Sequence, residues 1–126
     1  MHIDYHLGLL NLVHLLVSAD GVIDDNELAA LNRIKEREKI PGDVFNKFQT
    51  ELNTKRERDI YVDGIEYINK CTNEEKLRAF VILYKMSEVD GRVHVKEVRL
   101  LLYSIRMAGI EFDDVVKEAA KIPSFY

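Results

Sequence analysis

Apolar residues recur along this chain at helical spacing, and no segment alternates between apolar and polar residues as a half-buried strand does. Two segments, "LGLLNLVHLLVSA" and "LRAFVILYKM", are apolar on nearly every side, which is typical of helices surrounded by other helices. The Pro-Gly pair at 41–42 should end the second of the helices, because proline disfavours helix in the residue before it. The pattern predicts seven helices, at about 4–19, 25–38, 43–52, 55–70, 73–89, 95–107 and 112–121. We therefore expect an all-α fold, a compact helical bundle forming a single domain over residues 1–126.

Local signals mark where several of these helices start and stop. Thr54 with Glu57, and Thr72 with Glu75, have the spacing of a capping box, which predicts the starts of the fourth and fifth helices. Gly109 is the residue type that most easily adopts a left-handed cap, so it should end the sixth helix. The apolar positions expected to pack the last two helices into the core are Val98, Leu101, Leu102, Ile105, Val115, Val116 and Ala119.

The clearest motif occurs twice, 70 positions apart. "SADGVIDDNE" at 18–27 and "EVDGRVHVKE" at 88–97 both carry Asp-Gly, then an aliphatic residue two positions after Gly, then Glu. Each follows one of the two strongly apolar segments, so the whole unit of core helix, turn and surface helix is repeated. The Asp-Gly pair at 63–64 lacks the rest of the pattern and serves as a control. An internal duplication with pseudo-two-fold symmetry is predicted.

Much of the motif has a purely structural explanation. Glycine after a helix closes its last turn, and Asp24 with Glu27 can form a capping box for the second helix. Architecture does not require an aspartate at both 20 and 90, where a carboxylate faces the negative end of a helix at a cost of about 0.3 to 1 kcal/mol.

Pseudo-symmetry would bring the acidic side chains of both motifs to one end of the bundle. Carboxylates in close contact favour either a cation or a raised pKa, and hard oxygen ligands favour Ca²⁺, Mg²⁺ or Mn²⁺. The predicted metal ligands are Asp20, Asp24, Glu27, Asp90 and Glu97. A true EF-hand is excluded because its first ligand position would be Leu16 or Met86. Any metal is therefore expected to bind weakly or between the two motifs.

The two motifs, each with its preceding apolar helix, resemble the signature segments of the TerB-like domain of bacterial tellurite-resistance proteins. They are also similar to the amino-terminal domain of membrane-anchored DnaJ-like co-chaperones. The resemblance implies a seven-helix bundle with an acidic, divalent-metal-binding end, and a non-enzymatic module in stress response and in larger, often membrane-associated assemblies. Arg92, His94 and Lys96 depart from the family pattern, so the first motif is the stronger candidate for metal. Tellurite resistance does not follow for a stand-alone member.

Composition narrows the possible partners. The 126 residues are 47% hydrophobic and 32% charged, as in an ordinary soluble domain, and the net charge of −4 disfavours nucleic acid. The longest apolar segment is too short to cross a bilayer, which needs about 20 residues. No secretion signal is evident, so a cytoplasmic location is expected, with peripheral membrane association left open.

The sequence gives little support for catalysis or for binding of a transition metal. Cys71 is the only cysteine, which excludes a disulfide or cysteine cluster, and it is expected to be a small buried residue. His2 and His6 have i, i+4 spacing but should be solvated near the terminus, whereas His14 should lie in the core. No catalytic triad, phosphate loop or zinc-protease motif is present, so a non-enzymatic protein is predicted. The alternative to the cation-binding module is a metal-independent adaptor whose acidic end docks a basic protein partner.

Overall fold

Every element that the structure describes is a helix. The structure, a computed structural model, describes residues 3–17, 25–52, 54–89 and 102–121, and no strand occurs among them. Its helices are α1 (Ile3–Val17), α2 (Asp25–Arg37), α3 (Gly42–Leu52), α4 (Glu57–Asn69), α5 (Asn73–Val89), α6 (102–107) and α7 (Phe112–Ala120). The all-α prediction is confirmed, and the observed bounds of α2 to α5 and α7 lie within two residues of the predicted ones.

Helix α1 forms the centre of the bundle. It packs against α2, α3, α4 and α5, most extensively against α4, and every residue from Tyr5 to Leu15 is buried. This explains why its sequence is apolar all round, since each of its faces meets another helix. Helix α5 is the second core helix, with contacts to α1, α4 and α7.

Two glycines allow α1 and α4 to approach closely. A Cβ built on Gly8 would lie 2.8 Å from Cγ1 of Ile68, and one on Gly64 would lie 3.1 Å from Cβ of Asn11. Asn11 also donates a hydrogen bond from Nδ2 to the carbonyl oxygen of Ile60, at 3.4 Å. Residue numbers rise along α1 as they fall along α4 through these contacts, so the two helices run antiparallel.

Helix α2 ends at Arg37, and a turn through Lys39 closes it before the predicted Pro-Gly pair. Lys39 adopts a left-handed conformation with φ of 54°, and the backbone N of Ile40 donates to the carbonyl oxygen of Lys35 at 2.9 Å. The carbonyl oxygen of Pro41 instead accepts a hydrogen bond from the N of Phe45 at 3.0 Å, so the Pro-Gly pair opens α3. The prediction that this pair ends α2 is wrong, because a capping turn already closes the helix.

Helix α6 ends in the same hydrogen-bonded turn. Gly109 has φ of 73°, and the backbone N of Ile110 donates to the carbonyl oxygen of Ile105 at 3.1 Å. The prediction that Gly109 stops this helix is confirmed.

Of the two capping boxes predicted for α4 and α5, only one forms; the third, Asp24 with Glu27, lies outside the described residues. The backbone N of Thr72 donates to Oε1 of Glu75 at 3.0 Å, and the N of Glu75 donates to Oγ1 of Thr72 at 3.2 Å, as predicted. Helix α4 begins at Glu57 itself, so Thr54 stands too far before it to cap it. The Thr54 hydroxyl donates instead to the carbonyl oxygen of Glu51 at 3.1 Å, and the predicted Thr54–Glu57 box is wrong.

Three burial predictions are also wrong. His6 is buried rather than solvated, with its ring edge-on to Tyr5 at 5.8 Å, because other helices enclose α1 from its first turn. Leu102 is 43% exposed and Val116 is 36% exposed. Other residues of α6 and α7 face the core instead, among them Ile105, which is 2% exposed, and Val115, which is 0% exposed.

Candidate functional site

The predicted metal ligands fall mostly outside the described residues. Asp20 and Asp24 belong to the segment 18–24, and Asp90 and Glu97 belong to the segment 90–101, both outside the described ranges. Glu27 lies in the first turn of α2, but its side chain is also outside the described part of the structure. Helices α1 and α5, which precede the two segments, are described. Their relative position is therefore the structural information that is relevant to the predicted site.

A buried carboxylate, Glu38, joins three parts of the chain. Its side chain is 1% exposed. Arg78 donates two hydrogen bonds to it, from Nε to Oε1 at 2.8 Å and from Nη2 to Oε2 at 2.7 Å. The hydroxyl of Tyr5 donates a third bond to Oε1 at 2.5 Å. A two-pronged arginine-carboxylate pair is among the strongest and most directional polar contacts in proteins.

The charge state of this network is well defined. Burial raises the pKa of the Glu38 carboxyl, but hydrogen bonds from Arg78 and Tyr5, together with the arginine charge, outweigh burial and hold that pKa below its usual range. Burial, reinforced by the hydrogen bond to Glu38, raises the pKa of the Tyr5 hydroxyl. The hydrogen bonds to Glu38 raise the pKa of Arg78. At neutral pH the carboxylate and guanidinium are charged and the phenol is neutral.

The network fixes the relative position of three helices. Tyr5 is in the first turn of α1, Glu38 directly follows α2, and Arg78 is in the second turn of α5. The beginnings of α1 and α5 therefore both lie next to the end of α2. Asp4 is also close enough to the thiol of Cys71, just before α5, to raise its pKa, which places the same two helix beginnings together.

Sequence reasoning did not find this network. Tyr5 and Glu38 are 33 positions apart, and Glu38 and Arg78 are 40 apart, so neither pair has a helical spacing that would suggest contact. Glu38 resembles any charged residue at the end of a surface helix, and nothing in the local pattern indicates its burial.

A second ionic contact lies between α3 and α4. Lys55 Nζ contacts Oδ2 of Asp63 at 2.5 Å and Oε2 of Glu51 at 3.5 Å. The hydrogen bond to Asp63 is the main reason why the pKa of Lys55 is raised. All three side chains are partly open to solvent, so this contact contributes little to stability.

The only cysteine has the surroundings of a structural residue. Cys71 is 9% exposed and its thiol donates to the carbonyl oxygen of Tyr67, at 3.4 Å. Burial, and then the negative charges of Glu75 and Asp4, raise its pKa to about 11. A thiol of this kind is protonated at neutral pH, whereas a nucleophilic cysteine needs a lowered pKa.

Neither a metal centre nor a membrane span is found in the described ranges. Among their side chains, no three or more histidines, cysteines and carboxylates cluster so that they could hold a metal ion. No described helix has both the length and the apolar character needed to span a bilayer.

Comparison with known proteins finds no match to a family model, to a curated protein or to a solved structure.

Proposed function

We propose that this chain is a non-enzymatic, TerB-like helical module that binds a divalent cation weakly where its two acidic motifs meet. Asp20 and Glu27 are the main ligands, and Asp24, Asp90 and Glu97 assist them. The carboxylate oxygens of these residues are the donors that Ca²⁺, Mg²⁺ and Mn²⁺ prefer. Of the described contacts, the network around Glu38 gives the proposal its main support.

The network supports a common position for the two motifs. It holds the beginnings of α1 and α5 together, and these helices have 15 and 17 residues, or about 22 and 25 Å at 1.5 Å per residue. Helix α4 runs antiparallel to α1, and only the residues 70–72 separate α4 from α5. Both observations favour parallel α1 and α5, whose ends at Val17 and Val89 lead directly into the acidic segments.

The proposal includes an internal duplication, with residues 3–52 corresponding to residues from 73 onward. Helices α2 and α6 end 70 positions apart, at 37 and 107, and the hydrogen-bonded turns that follow are equivalent bond for bond. Helices α3 and α7 then begin 70 positions apart, at Gly42 and Phe112. These coincidences support two related units, each with one acidic motif, and fit the resemblance to TerB-like domains.

Cation binding is best tested by thermal unfolding with each metal. At a free metal concentration about ten times the dissociation constant, binding should stabilise the fold by about 1.4 kcal/mol. For a chain of this size that corresponds to a rise in melting temperature of about 4 to 7 °C. The measurement is a thermal-shift series with Ca²⁺, Mg²⁺, Mn²⁺ and a chelator, supported by calorimetric titration.

Matched variants separate a specific site from a general salt effect. Asp20→Asn and Glu27→Gln should abolish the shift, whereas Glu66→Gln, which changes an exposed carboxylate of α4, should leave it unchanged. If no metal shifts the melting temperature of the unmodified protein, the cation proposal is refuted. The metal-independent adaptor, with the acidic end docking a basic protein, would then be the better hypothesis.

A further inference from the structure

Exposed large apolar side chains are concentrated on the last two helices. Of the seven such residues in the described ranges, five lie between positions 102 and 116. They are Leu102, Tyr103, Met107, Phe112 and Val116. Single exposed apolar residues are ordinary on a protein surface, but a concentration of them on neighbouring elements marks an interaction surface.

The proposed duplication provides an internal control for this surface. Subtracting 70 from each of the five positions gives their counterparts on α2 and α3, which are all exposed as well. The counterparts are Asn32, Arg33, Arg37, Gly42 and Asn46. Inward positions agree too, since Ile34 and Ser104 are both buried, as are Phe45 and Val115. The same structural positions are therefore polar or glycine in the first unit and apolar in the second.

Acidic residues flank Phe112, the apolar residue with which α7 begins. Glu111, Asp113 and Asp114 are exposed around Phe112, and none of the three forms an ion pair with another residue in the described part of the chain. The counterparts in the first unit are Pro41, Asp43 and the buried Val44, so only one of them is acidic. Acidic residues also stabilise a helix start, which explains their tolerance here. Exposed Arg106 and Lys117 also lie on α6 and α7, but the charged residues that flank Phe112 are all acidic, which favours a basic partner at this end of the surface.

We propose that the outer residues of α6 and α7 bind a basic amphipathic helix of another protein. Its apolar stripe covers Leu102, Tyr103, Met107, Phe112 and Val116, and its lysine or arginine side chains pair with Glu111, Asp113 and Asp114. A helix laid against two helices is a common mode of peptide recognition, with anchors spaced three or four residues apart. The comparison between units rests on the proposed duplication, but this surface lies outside the acidic motifs and does not require cation binding.

The test uses a defined peptide, an amphipathic helix of leucine and lysine of about 18 residues, with fluorescence anisotropy as the readout. A peptide of the same composition in scrambled order has no apolar face, and a leucine-glutamate helix has the opposite charge. The surface variant combines Leu102→Asn, Met107→Arg and Val116→Asn, which places the residues of the first unit at the equivalent positions. A control variant, Asn32→Ala with Asn46→Ala, alters the first unit instead.

We expect the leucine-lysine helix to bind the unmodified protein and the control variant equally, and the surface variant at least about tenfold more weakly. The variant with Glu111→Gln, Asp113→Asn and Asp114→Asn should also bind more weakly, and its affinity should depend less on salt. Unchanged far-ultraviolet circular dichroism and melting temperature would show that the variants are folded. Thermal-shift measurements with metal report separately on the acidic motifs.

Two results would overturn the inference. Equal affinity of all variants, or equal affinity for the scrambled peptide, would show that the apolar surface does not recognise a helix. If light scattering showed that the unmodified protein is a dimer and the surface variant a monomer, with peptide affinity unchanged, the surface would belong to a second copy of this chain.

Discussion

Replacing Arg78 by methionine should destabilise the protein, because it leaves the buried carboxylate of Glu38 without its arginine partner. Arg78→Met removes the guanidinium but keeps much of the side-chain volume. It leaves the carboxylate of Glu38, 1% exposed, with the Tyr5 hydroxyl as its only remaining side-chain donor in the described structure. Removing one partner of a buried ion pair generally costs about 3–5 kcal/mol, because the other charge stays buried without compensation.

The expected loss lies below that range. The side chain of Arg78 is 49% exposed, so water can enter the space that the guanidinium leaves and can hydrate Glu38 in part. We therefore expect a loss of about 2 to 3 kcal/mol in the free energy of unfolding at neutral pH. In the double variant with Glu38→Gln no buried charge remains, so its cost should be smaller than the sum of the two single costs.

The loss should also depend on pH, with a definite sign. In the unmodified protein the pKa of Glu38 is below its ordinary value of 4.5, so its stabilisation is present above that pH and is lost as the pH falls through the lowered pKa. Without Arg78, the hydrogen bonds and charge that lower the pKa of Glu38 most are lost while burial remains, so that pKa should be higher than in the unmodified protein. The folded variant then binds a proton more readily than the unmodified folded protein does. The difference in stability between the two proteins should therefore narrow as the pH falls towards and below 4.5.

Urea denaturation followed by circular dichroism measures both quantities. The control is Arg58→Met on the exposed side of α4, which should change the free energy of unfolding by less than about 0.5 kcal/mol. A loss for Arg78→Met no larger than that of the control would show that Glu38 does not depend on its arginine. A large loss of the same size at every pH would show that the cost comes from packing rather than from a buried charge.

Three further predictions concern packing, capping and reactivity. Gly8→Ala should destabilise the protein by about 1 to 3 kcal/mol, because the new Cβ would lie 2.8 Å from an isoleucine of α4, whereas Gly42→Ala meets nothing within 4 Å and should be neutral in the same denaturation assay. Thr72→Ala should cost about 1 kcal/mol through the lost capping box, and Thr54→Ala less than half of that, as judged from melting temperatures. Alkylation of Cys71 by iodoacetamide in the folded protein should be much slower at pH 7 than that of a free thiol and should rise only towards its pKa of about 11; rapid alkylation at neutral pH would contradict the burial argument.

Hydrophobic periodicity predicted the elements of this fold well because it reflects burial directly. Helices α1 and α5 contain the two strongly apolar segments of the sequence, and both form the core of the bundle. The details that failed depend on where each helix begins. Thr54 and Thr72 have the same spacing to a following glutamate, but only Thr72 directly precedes its helix, so only Thr72 can cap it. A sequence pattern gives this spacing and not the register of the helix start.

The outward-facing apolar residues show a different limit. Leu102 and Val116 were expected in the core because apolar side chains usually lie there, yet both are exposed. Sequence alone cannot distinguish an apolar residue that packs in the core from one that is exposed on the surface, since both contribute to the same helical periodicity. Only the structure shows which residues of α6 and α7 face the core, and therefore which apolar residues of these helices face outward.

The two ends of the bundle illustrate why buried ionic contacts are the hardest feature to predict. At one end, Glu38 is held by Arg78 and Tyr5, so its charge is neutralised within the chain. The acidic motifs follow α1 and α5 in the sequence, and we propose that they meet at the other end of the bundle and bind an external cation there. If the Glu38 network sets α1 and α5 parallel, then weakening it should disturb the distant motifs as well. Arg78→Met should then lower the affinity for metal measured by calorimetry, although Arg78 is about 16 Å along α5 from the end of that helix. An unchanged metal affinity in a folded Arg78→Met protein would show that the motifs are positioned independently of this network.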